Sequence, residues 1–440
     1  MTEHYRIRGR TSSEIAASVE RLVGEGRLGP GARLPTVREL ATGLEVAPAT
    51  VAAAYRELAR RGVTEGAGRL GTRVRPAPPL PIASPAPLPE GVVDLVDGGP
   101  DPALLPTLRP ALRALVPSRH GYLDPPVLPD LESVARSMFA DDGVPEARLA
   151  VVSGALDGVE RVLEAHLRAG DRVAVEDPGF PAVHDVTAAL GLRRVPVAVD
   201  DEGVVPDALG RALRAGLDAL IIAPRAQNPT GAALSDERVR ALRRVLRFHP
   251  DVLVLEDDHA GPIAGAPART LAEPRRGPWA VVRSVSKALG PDLRVALVTG
   301  DDVTIDRVEG RQRVGPGWVS HLLQQLLVAL WRDDAVHEAL ARAETTYARR
   351  RDALLDALAH HGIDGSGRSG LNVWIPVPAE DTVVAALLTD GWGVSAGQRF
   401  RIASPPAVRV NVARLSTRDA PALARSLATA LRPRYAPVTR

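Results

Sequence analysis

Lys287 is the only lysine in a chain of 440 residues, and the other 54 basic residues are all arginine. Wherever positive charge alone suffices this chain uses guanidinium, so a single ammonium points to a task that arginine cannot perform. That task is covalent. A guanidinium stays protonated at any working pH, whereas a lysine amine can lose its proton when desolvated and then attack an aldehyde to give a Schiff base. Pyridoxal phosphate is the commonest aldehyde that proteins hold in this way. A lysine left over on the surface of an arginine-biased chain is the plain alternative. The neighbours of Lys287 favour chemistry: in the run Ser-Val-Ser-Lys-Ala-Leu-Gly-Pro-Asp-Leu-Arg, Ser284 stands three residues before it and Arg294 seven after it.

Short apolar runs alternate with amphipathic helical segments over the same part of the chain. Residues 149–152, 172–175, 220–222, 253–255 and 280–283 are near-continuous apolar stretches of the kind buried on both faces of a parallel sheet, which predicts an α/β domain. Ligands in such sheets sit beyond the carboxyl ends of the strands. Each run is followed at once by candidate site residues. After the first, Ser153-Gly154-Ala155-Leu156 opens a helix whose free N–H groups can bind phosphate. The second leads to Glu176-Asp177-Pro178-Gly179-Phe180, the third to Asn228-Pro229-Thr230-Gly231, the fourth to Asp257-Asp258-His259, and the fifth to Ser284 and Lys287.

Taken in this order the motifs resemble those of the fold-type I aminotransferases, and the resemblance covers residues 92–440. It implies pyridoxal phosphate as cofactor, with Lys287 forming the Schiff base and Gly154, Ala155, Leu156, Ser284 and Arg294 holding the phosphate. It further implies that Phe180 stacks on the pyridine ring and that Asn228 bonds the 3-oxygen. Asp257 would pair with the ring nitrogen, keeping the ring protonated and able to act as an electron sink. Tyr122, in Gly-Tyr-Leu-Asp-Pro, resembles the tyrosine that reaches across a dimer to the other subunit's phosphate. Arg409, in Arg-Val-Asn-Val-Ala, resembles the arginine that binds a substrate α-carboxylate through a bidentate fork. Without the resemblance, Phe180 reads as a core phenylalanine and Arg409 as a solvated residue of an edge strand. One position departs from the pattern: His259 stands where relatives usually carry tyrosine. A neutral imidazole there can still donate to the 3-oxygen, but the tuning of the Schiff base changes, and slow transamination is the expectation.

Hydrophobic content of 45% and charged content of 25% are those of a globular protein, and the length suits two or three domains. With no cysteine the chain forms neither disulfides nor thiolate metal sites, and no metal site is expected. No apolar run reaches the roughly 20 residues needed to span a bilayer, and residues 1–10 lack the apolar segment of a secretory signal, so a cytoplasmic location away from membranes is the expectation. Charge is unevenly spread. Residues 1–75 carry 13 Arg against 8 Glu, a net of +5, whereas the remainder has a net of −3. A basic front end before a near-neutral body hints at a polyanion partner.

Within that front end, Ile15, Val19, Leu22 and Val23 recur at helical spacing between Ser12 and Glu25. A second helix is predicted from Thr36 to Leu44, with Thr36 as cap and Glu39 three residues on as its capping-box partner. A third runs from about Pro48 to Arg61 with Val51, Tyr55 and Leu58 facing inward. Residues 63–65 and 72–75 then flank the glycine-rich stretch Gly66-Ala-Gly-Arg-Leu-Gly71. Three helices and a hairpin make a winged helix-turn-helix. The runs Leu34-Pro-Thr-Val-Arg-Glu-Leu-Ala41, Ala49-Thr-Val51 and Ala54-Tyr-Arg-Glu-Leu58 resemble the GntR family of bacterial repressors. That resemblance implies double-stranded DNA as partner, with Arg38 and Thr50 on phosphates or base edges and Arg69 at the wing tip near the adjacent groove. Pro48-Ala49 replaces the Ser-Arg that many relatives place before the Thr-Val of the third helix, so a base-reading arginine is missing there.

Seven prolines fall between residues 76 and 91 without periodicity. They form a stiff linker of extended character, able to span roughly 50 Å. The expected organisation is therefore a winged helix-turn-helix at 1–75, a proline-rich linker at 76–91, and a fold-type I aminotransferase-like domain at 92–440. The last comprises a large part at about 145–305 with a mainly parallel central sheet, and a smaller α/β part from 306–440 with part of 92–144. Winged helix plus fold-type I domain is the arrangement of the MocR regulators, and the motif details look most like the branch associated with vitamin B6 salvage. That resemblance implies a homodimeric transcription regulator sensing pyridoxal phosphate or an amino-acid-like effector. The competing expectation is an active class I/II aminotransferase with an accessory DNA-binding head.

Overall fold

The computed structural model describes residues 7–24, 27–29, 31–60, 63–66, 71–75, 88–116, 120–274 and 276–432. Two compact units divide the chain: Met1–Ser84 with Leu167–Val173 and His184–Val195, and the remaining residues.

Helix α1 (Ser12–Gly24) presents Ile15, Val19 and Leu22 to one core, and α2 (Val37–Leu44) and α3 (Pro48–Arg60) supply Leu40, Ala41, Val51, Ala54, Tyr55 and Leu58. Val37, Leu44 and Val23 are only partly buried at its edge. The capping box at the start of α2 is formed in both directions. Glu39 N–H donates to Thr36 Oγ1 at 3.2 Å, and Thr36 N–H donates to Glu39 Oε2 at 2.8 Å. Glu45, left-handed at φ 54°, ends α2 and turns the chain into α3. The phenol of Tyr55 ties the two helices together by donating to Pro35 O at 2.8 Å. Strands β1 (Thr64–Gly66) and β2 (Thr72–Val74) pair antiparallel, and β2 is also bonded to the stretch 31–34 through Leu34 N to Thr72 O and Val74 N to Ala32 O.

Beyond the linker come β3 (Val93–Asp94), α4 (Arg109–Ala114), α5 (Pro129–Asp141), β4 (Arg148–Val152), α6 (Ala155–His166), β5 (Arg172–Asp177), α7 (Pro181–Ala189), β6 (Arg193–Asp200) and β7 (Gly203–Val204). Next follow α8 (Pro206–Arg214), β8 (Ala219–Ile222), α9 (Asp236–Leu246), β9 (Leu253–Asp258), β10 (Trp279–Ser284), α10 (Ser286–Leu289), β11 (Ala296–Gly300) and α11 (Asp302–Arg313). The chain ends with α12 (His321–Trp331), α13 (Asp334–Ala359), β12 (Asn372–Pro376), α14 (Glu380–Thr389), β13 (Trp392–Gly393), β14 (Ser395–Ala396), β15 (Ala407–Asn411) and α15 (Ala420–Leu431).

The large sheet has the order β4-β11-β10-β9-β8-β5-β6-β7. Strands β8, β9 and β10 are parallel neighbours, as buried apolar runs require. The sheet is mainly parallel, as expected, with antiparallel steps at β11 and between β6 and β7. Strand β11, unforeseen from the sequence, sits antiparallel between β10 and β4. Two antiparallel steps leave β4 pointing the same way as β10, so their carboxyl ends still meet at one edge. Helix α6 lies close on this sheet because Gly158 has no side chain: a Cβ there would come within 3.1 Å of Val282 and Val298 and 3.2 Å of Val152. That approach sets the N-terminus of α6 at the same edge. A smaller antiparallel sheet, β12-β15-β14, holds Arg409 on its central strand, and β13 pairs with β3.

Candidate functional site

At the carboxyl edge of the large sheet, the turn after β4 and the turn after α10 meet. Gly154, at φ +102°, is backed by Arg294: a Cβ on Gly154 would lie 2.5 Å from Arg294 Nη2 and 3.0 Å from its Cζ. Only glycine leaves this cradle open, and it opens on the N-terminus of α6, beginning at Ala155 and Leu156. Arg294 is itself left-handed, at φ 46°, and is exposed. Ser284 ends β10, and its hydroxyl accepts from Ser286 N–H at 3.2 Å. A hydroxyl, a guanidinium and a helix N-terminus are the donor set for a phosphate group.

Two adjacent aspartates close β9 and have opposite fates. Asp258 accepts from Arg225 Nε at 2.9 Å and Nη2 at 2.9 Å and from Arg283 Nε at 2.8 Å, while Asp142 bridges the same two arginines at 3.2 and 2.7 Å. Burial alone would raise Asp258, but Arg283 and Arg225 outweigh it and hold the carboxyl well below the usual range. Asp257 has no such partner: its Oδ1 is buried with no hydrogen bond among the described residues. Burial, and then the charge of Asp258, push its pKa up to about 7. A buried carboxylate without a donor is costly, and a cationic ring N–H is the type of group that would satisfy it. Beside it, His259 is pushed down to about 4 by burial and then by Lys287, so its imidazole is neutral near pH 7.

Lys287 lies in the short helix α10, and its Nζ donates to the carbonyl of Gly98. Burial, and then Arg409, lower its pKa to about 8, against the opposing pull of Asp97 and Asp257. Arg409 is not the solvated edge residue of the plain reading: it is 4% exposed on a central strand. Its Nη2 donates to the carbonyl of Val96 and, at 3.1 Å, to Ser395 Oγ, and its guanidinium lies 4.9 Å from the Phe400 ring centroid. Burial lowers it to about 10, still fully charged near neutrality. Asn228 Oδ1 lies 3.5 Å from Arg409 Nη1 and 3.4 Å from Asn372 Nδ2. One amine with a depressed pKa, one buried fixed cation and one orphaned carboxylate thus lie close enough for the last two to act on the charge of the first, a set chemically able to hold a carboxylate ligand beside an aldehyde.

The remaining predicted residues are placed as follows. Phe180, half-buried, follows β5 at the point where Gly179 N–H bonds Phe400 O at 2.7 Å. Tyr122 is 92% exposed, and its ring lies edge-on to Trp318 with centroids 5.8 Å apart. In the front unit, Arg38 is exposed on α2 and Thr50 half-buried in the first turn of α3, whereas Arg69 lies outside the described residues. Sequence reading missed the stretch 96–98, Ser395, Phe400 and the ion network of Asp142, Arg225, Asp258 and Arg283. Arg283 was the available signal for the last, as a lone charge inside an apolar strand.

Comparison with known proteins places these features in two families. The class I and II aminotransferases match residues 91–427, and the gntR family of bacterial regulatory proteins matches residues 11–74. Over 428 residues the chain is 38% identical to the vitamin B6 salvage pathway transcriptional repressor PtsJ of Salmonella typhimurium, covering 97% of this chain and 99% of that one. It is 27% identical over 381 residues to the HTH-type pyridoxine biosynthesis transcriptional regulator PdxR of Corynebacterium glutamicum, with 79% and 78% covered. The multiple substrate aminotransferase of Thermococcus profundus shares the fold at a TM-score of 0.71 and 19% identity, over 78% of this chain and 92% of that one. The class I and II fold is one that depends on pyridoxal phosphate. No described helix is long and apolar enough to cross a membrane.

Proposed function

Because the chain belongs to the class I and II aminotransferase family and carries a gntR-family helix-turn-helix at its front, we propose that it is a MocR-type transcription regulator of vitamin B6 metabolism. On this reading it is a cytoplasmic homodimer whose heads bind spaced half-sites on operator DNA and whose body senses pyridoxal phosphate or an amino-acid-like effector. The domain limits are taken as 1–75, 76–91 and 92–440.

Pyridoxal phosphate, when bound, supplies an aldehyde and a ring that withdraws electrons from bonds at the neighbouring carbon. The residues present fit it: the orphaned Oδ1 of Asp257 suits the ring nitrogen, and the cradle of Gly154 and Arg294 suits the phosphate. Lys287 offers the attaching amine. Ala155, Leu156 and Ser284 complete the phosphate contacts, Asn228 and neutral His259 serve the 3-oxygen, and Phe180 covers the ring. Tyr122 serves the phosphate site of a second copy. Arg409 anchors the carboxylate of an effector and orients it toward Lys287, which holds or releases a proton beside it.

The observation that carries the sensor reading is that both site cations grip one backbone segment. Lys287 bonds Gly98 O and Arg409 bonds Val96 O, and this segment begins a few residues after the proline-rich stretch that leads from the head. An effector carboxylate on Arg409, or an aldehyde on Lys287, competes with those carbonyls and so changes the anchoring of the chain that runs to the DNA-binding unit. Neutral His259 in place of a phenol disfavours fast proton transfer, which supports sensing over turnover. Gel-shift titrations with and without pyridoxal phosphate, paired with stopped-flow assays with amino acids on the same preparation, test this. The expected result is a change in DNA affinity with the cofactor and at most half-reactions lasting minutes. Multiple turnover at about 1 per second or faster, with DNA binding indifferent to the cofactor, would establish the aminotransferase reading instead.

A further inference from the structure

We propose that a cavity at the C-terminal end of α9 is a second anion site, separate from the cofactor pocket, that takes a phosphate-bearing ligand. The cavity has a volume of about 710 Å³ and is lined by Arg240, Arg243, Arg244, Arg247 and Arg276 against the single carboxylate of Glu273. It lies beyond the amino end of β9, since Pro250 borders it and Val252 O accepts from Arg276. The cofactor pocket lies beyond the carboxyl ends of the same strands.

Two of the arginines form a pre-set floor. Arg243 Nη2 donates to Thr270 O at 3.0 Å and Ala272 O at 2.9 Å, and Arg276 donates to Leu246 O, His249 O and Val252 O at 3.2, 3.3 and 3.0 Å. Neutral carbonyls fix these groups in place without cancelling their charge, and Glu273, 3.6 Å from Arg243 Nη1, is the one acid lining the cavity among the described residues. The other three, Arg240, Arg244 and Arg247, are exposed and have no ion-pair partner among the described residues. Their spacing of four and three sets them along one helix face spanning about 10 Å. The helix terminus carries roughly half a negative charge, which accounts for arginines in the last turn but is far outweighed by a net of about +4 from five guanidiniums and one carboxylate. This charge is concentrated on a body whose net is −3 beyond residue 75, so composition alone does not produce it. The exposed guanidiniums of Arg240, Arg244 and Arg247 that line this cavity match phosphate oxygens, which such planar groups bind in pairs.

The ligand's phosphate can belong to a free phosphorylated metabolite or to the backbone of DNA, and one variant of the full-length protein separates the sources. Arg240→Ala, Arg244→Ala and Arg247→Ala are combined, since all three are exposed, and the fold is checked by circular dichroism melting. Inorganic pyrophosphate is titrated calorimetrically, and binding is compared on a duplex of about 20 base pairs, which spans two half-sites, and one of about 60 base pairs. A free-phosphate site gives pyrophosphate binding that weakens at least tenfold in the variant, with both duplexes unaffected. A DNA-backbone site leaves the short duplex unchanged and lowers the slope of log affinity against log salt on the long duplex by about 2.7, from roughly 0.9 per phosphate contact. Unchanged binding of pyrophosphate and of both duplexes overturns the proposal.

Discussion

Lys287 Nζ donates a hydrogen bond to the carbonyl oxygen of Gly98, a residue 189 positions earlier in the chain. The amine proposed to hold the cofactor therefore also holds the segment that follows the proline-rich stretch of the sequence. Attachment of the cofactor removes the ammonium from that bond, so amides in residues 95–99 should exchange with solvent faster in the loaded protein. Hydrogen exchange of peptides covering this stretch, with and without pyridoxal phosphate, measures it. Equal protection in both states, alongside a cofactor-dependent change in DNA affinity, would eliminate this route between the site and the head.

Replacement of Lys287 by arginine keeps size and charge but cannot form a stable covalent link to an aldehyde. Lys287→Arg should melt near the wild type yet lose visible absorbance. After borohydride reduction and trypsin digestion, the wild type should carry the phosphopyridoxyl mass on the peptide containing residue 287, and the variant on none. A mass shift on any other peptide of the wild type would refute the assignment.

The rate of covalent attachment should depend on pH with a midpoint near the lowered pKa of Lys287, about 8. The neutral amine attacks, so the rate rises as pH passes upward through that value and levels off above it. At pH 7 about one amine in ten is neutral, against about one in three thousand for an unperturbed lysine. Arg409 repels the ammonium and Asp97 attracts it. Arg409→Gln should consequently move the midpoint up, and Asp97→Asn should move it down. Midpoints that shift together, or not at all, would show that burial alone sets the amine.

Asp258 lies between Arg225 and Arg283 in a fully buried network. Removing its charge leaves Arg225 and Arg283 with the partly exposed Asp142 as their one remaining carboxylate among the described residues, which costs up to about 3 kcal/mol. Urea unfolding of Asp258→Asn at pH 7 should show this loss. Because its carboxyl is held below its unfolded value, its contribution is present above the ordinary carboxylate range and is lost as pH falls through the depressed folded value. The gap between variant and wild type should therefore narrow in acid; a gap independent of pH would mean that packing, not charge, is at stake.

DNA binding by the head should fall steeply with salt, and Arg38→Ala should weaken it while reducing the log–log slope by about one. Thr36→Ala removes one side of the capping box and should destabilise α2 by about 1 kcal/mol. Retained DNA affinity in both variants at all salt concentrations would place the contact surface elsewhere.

Much of the fold was legible because it depends on neighbours in sequence. Helical spacing of Ile15, Val19 and Leu22, the pair Thr36 and Glu39, and the apolar runs at 149–152, 220–222, 253–255 and 280–283 each act over a few residues, and the corresponding elements form. Strand β6 escaped notice since arginine and proline interrupt it, and β11 was not singled out because no motif residue follows it. The motif residues after each strand could be named for the same local reason, since a turn and its flanking strand are contiguous.

What tertiary structure alone decided is the difference between chemically identical neighbours. Asp257 and Asp258 are consecutive aspartates, yet alternating side chains on a strand send one to two arginines and leave the other without a donor. The capture of Val96 and Gly98 by Arg409 and Lys287 spans 313 and 189 residues, respectively, and no local pattern encodes a backbone carbonyl's partner. Sequence by itself determined which groups were available, the one amine, the aspartates and the basic head. Long-range packing determined which charges are neutralised, which are desolvated and which stay open, because those depend on burial and on partners that chain order does not specify.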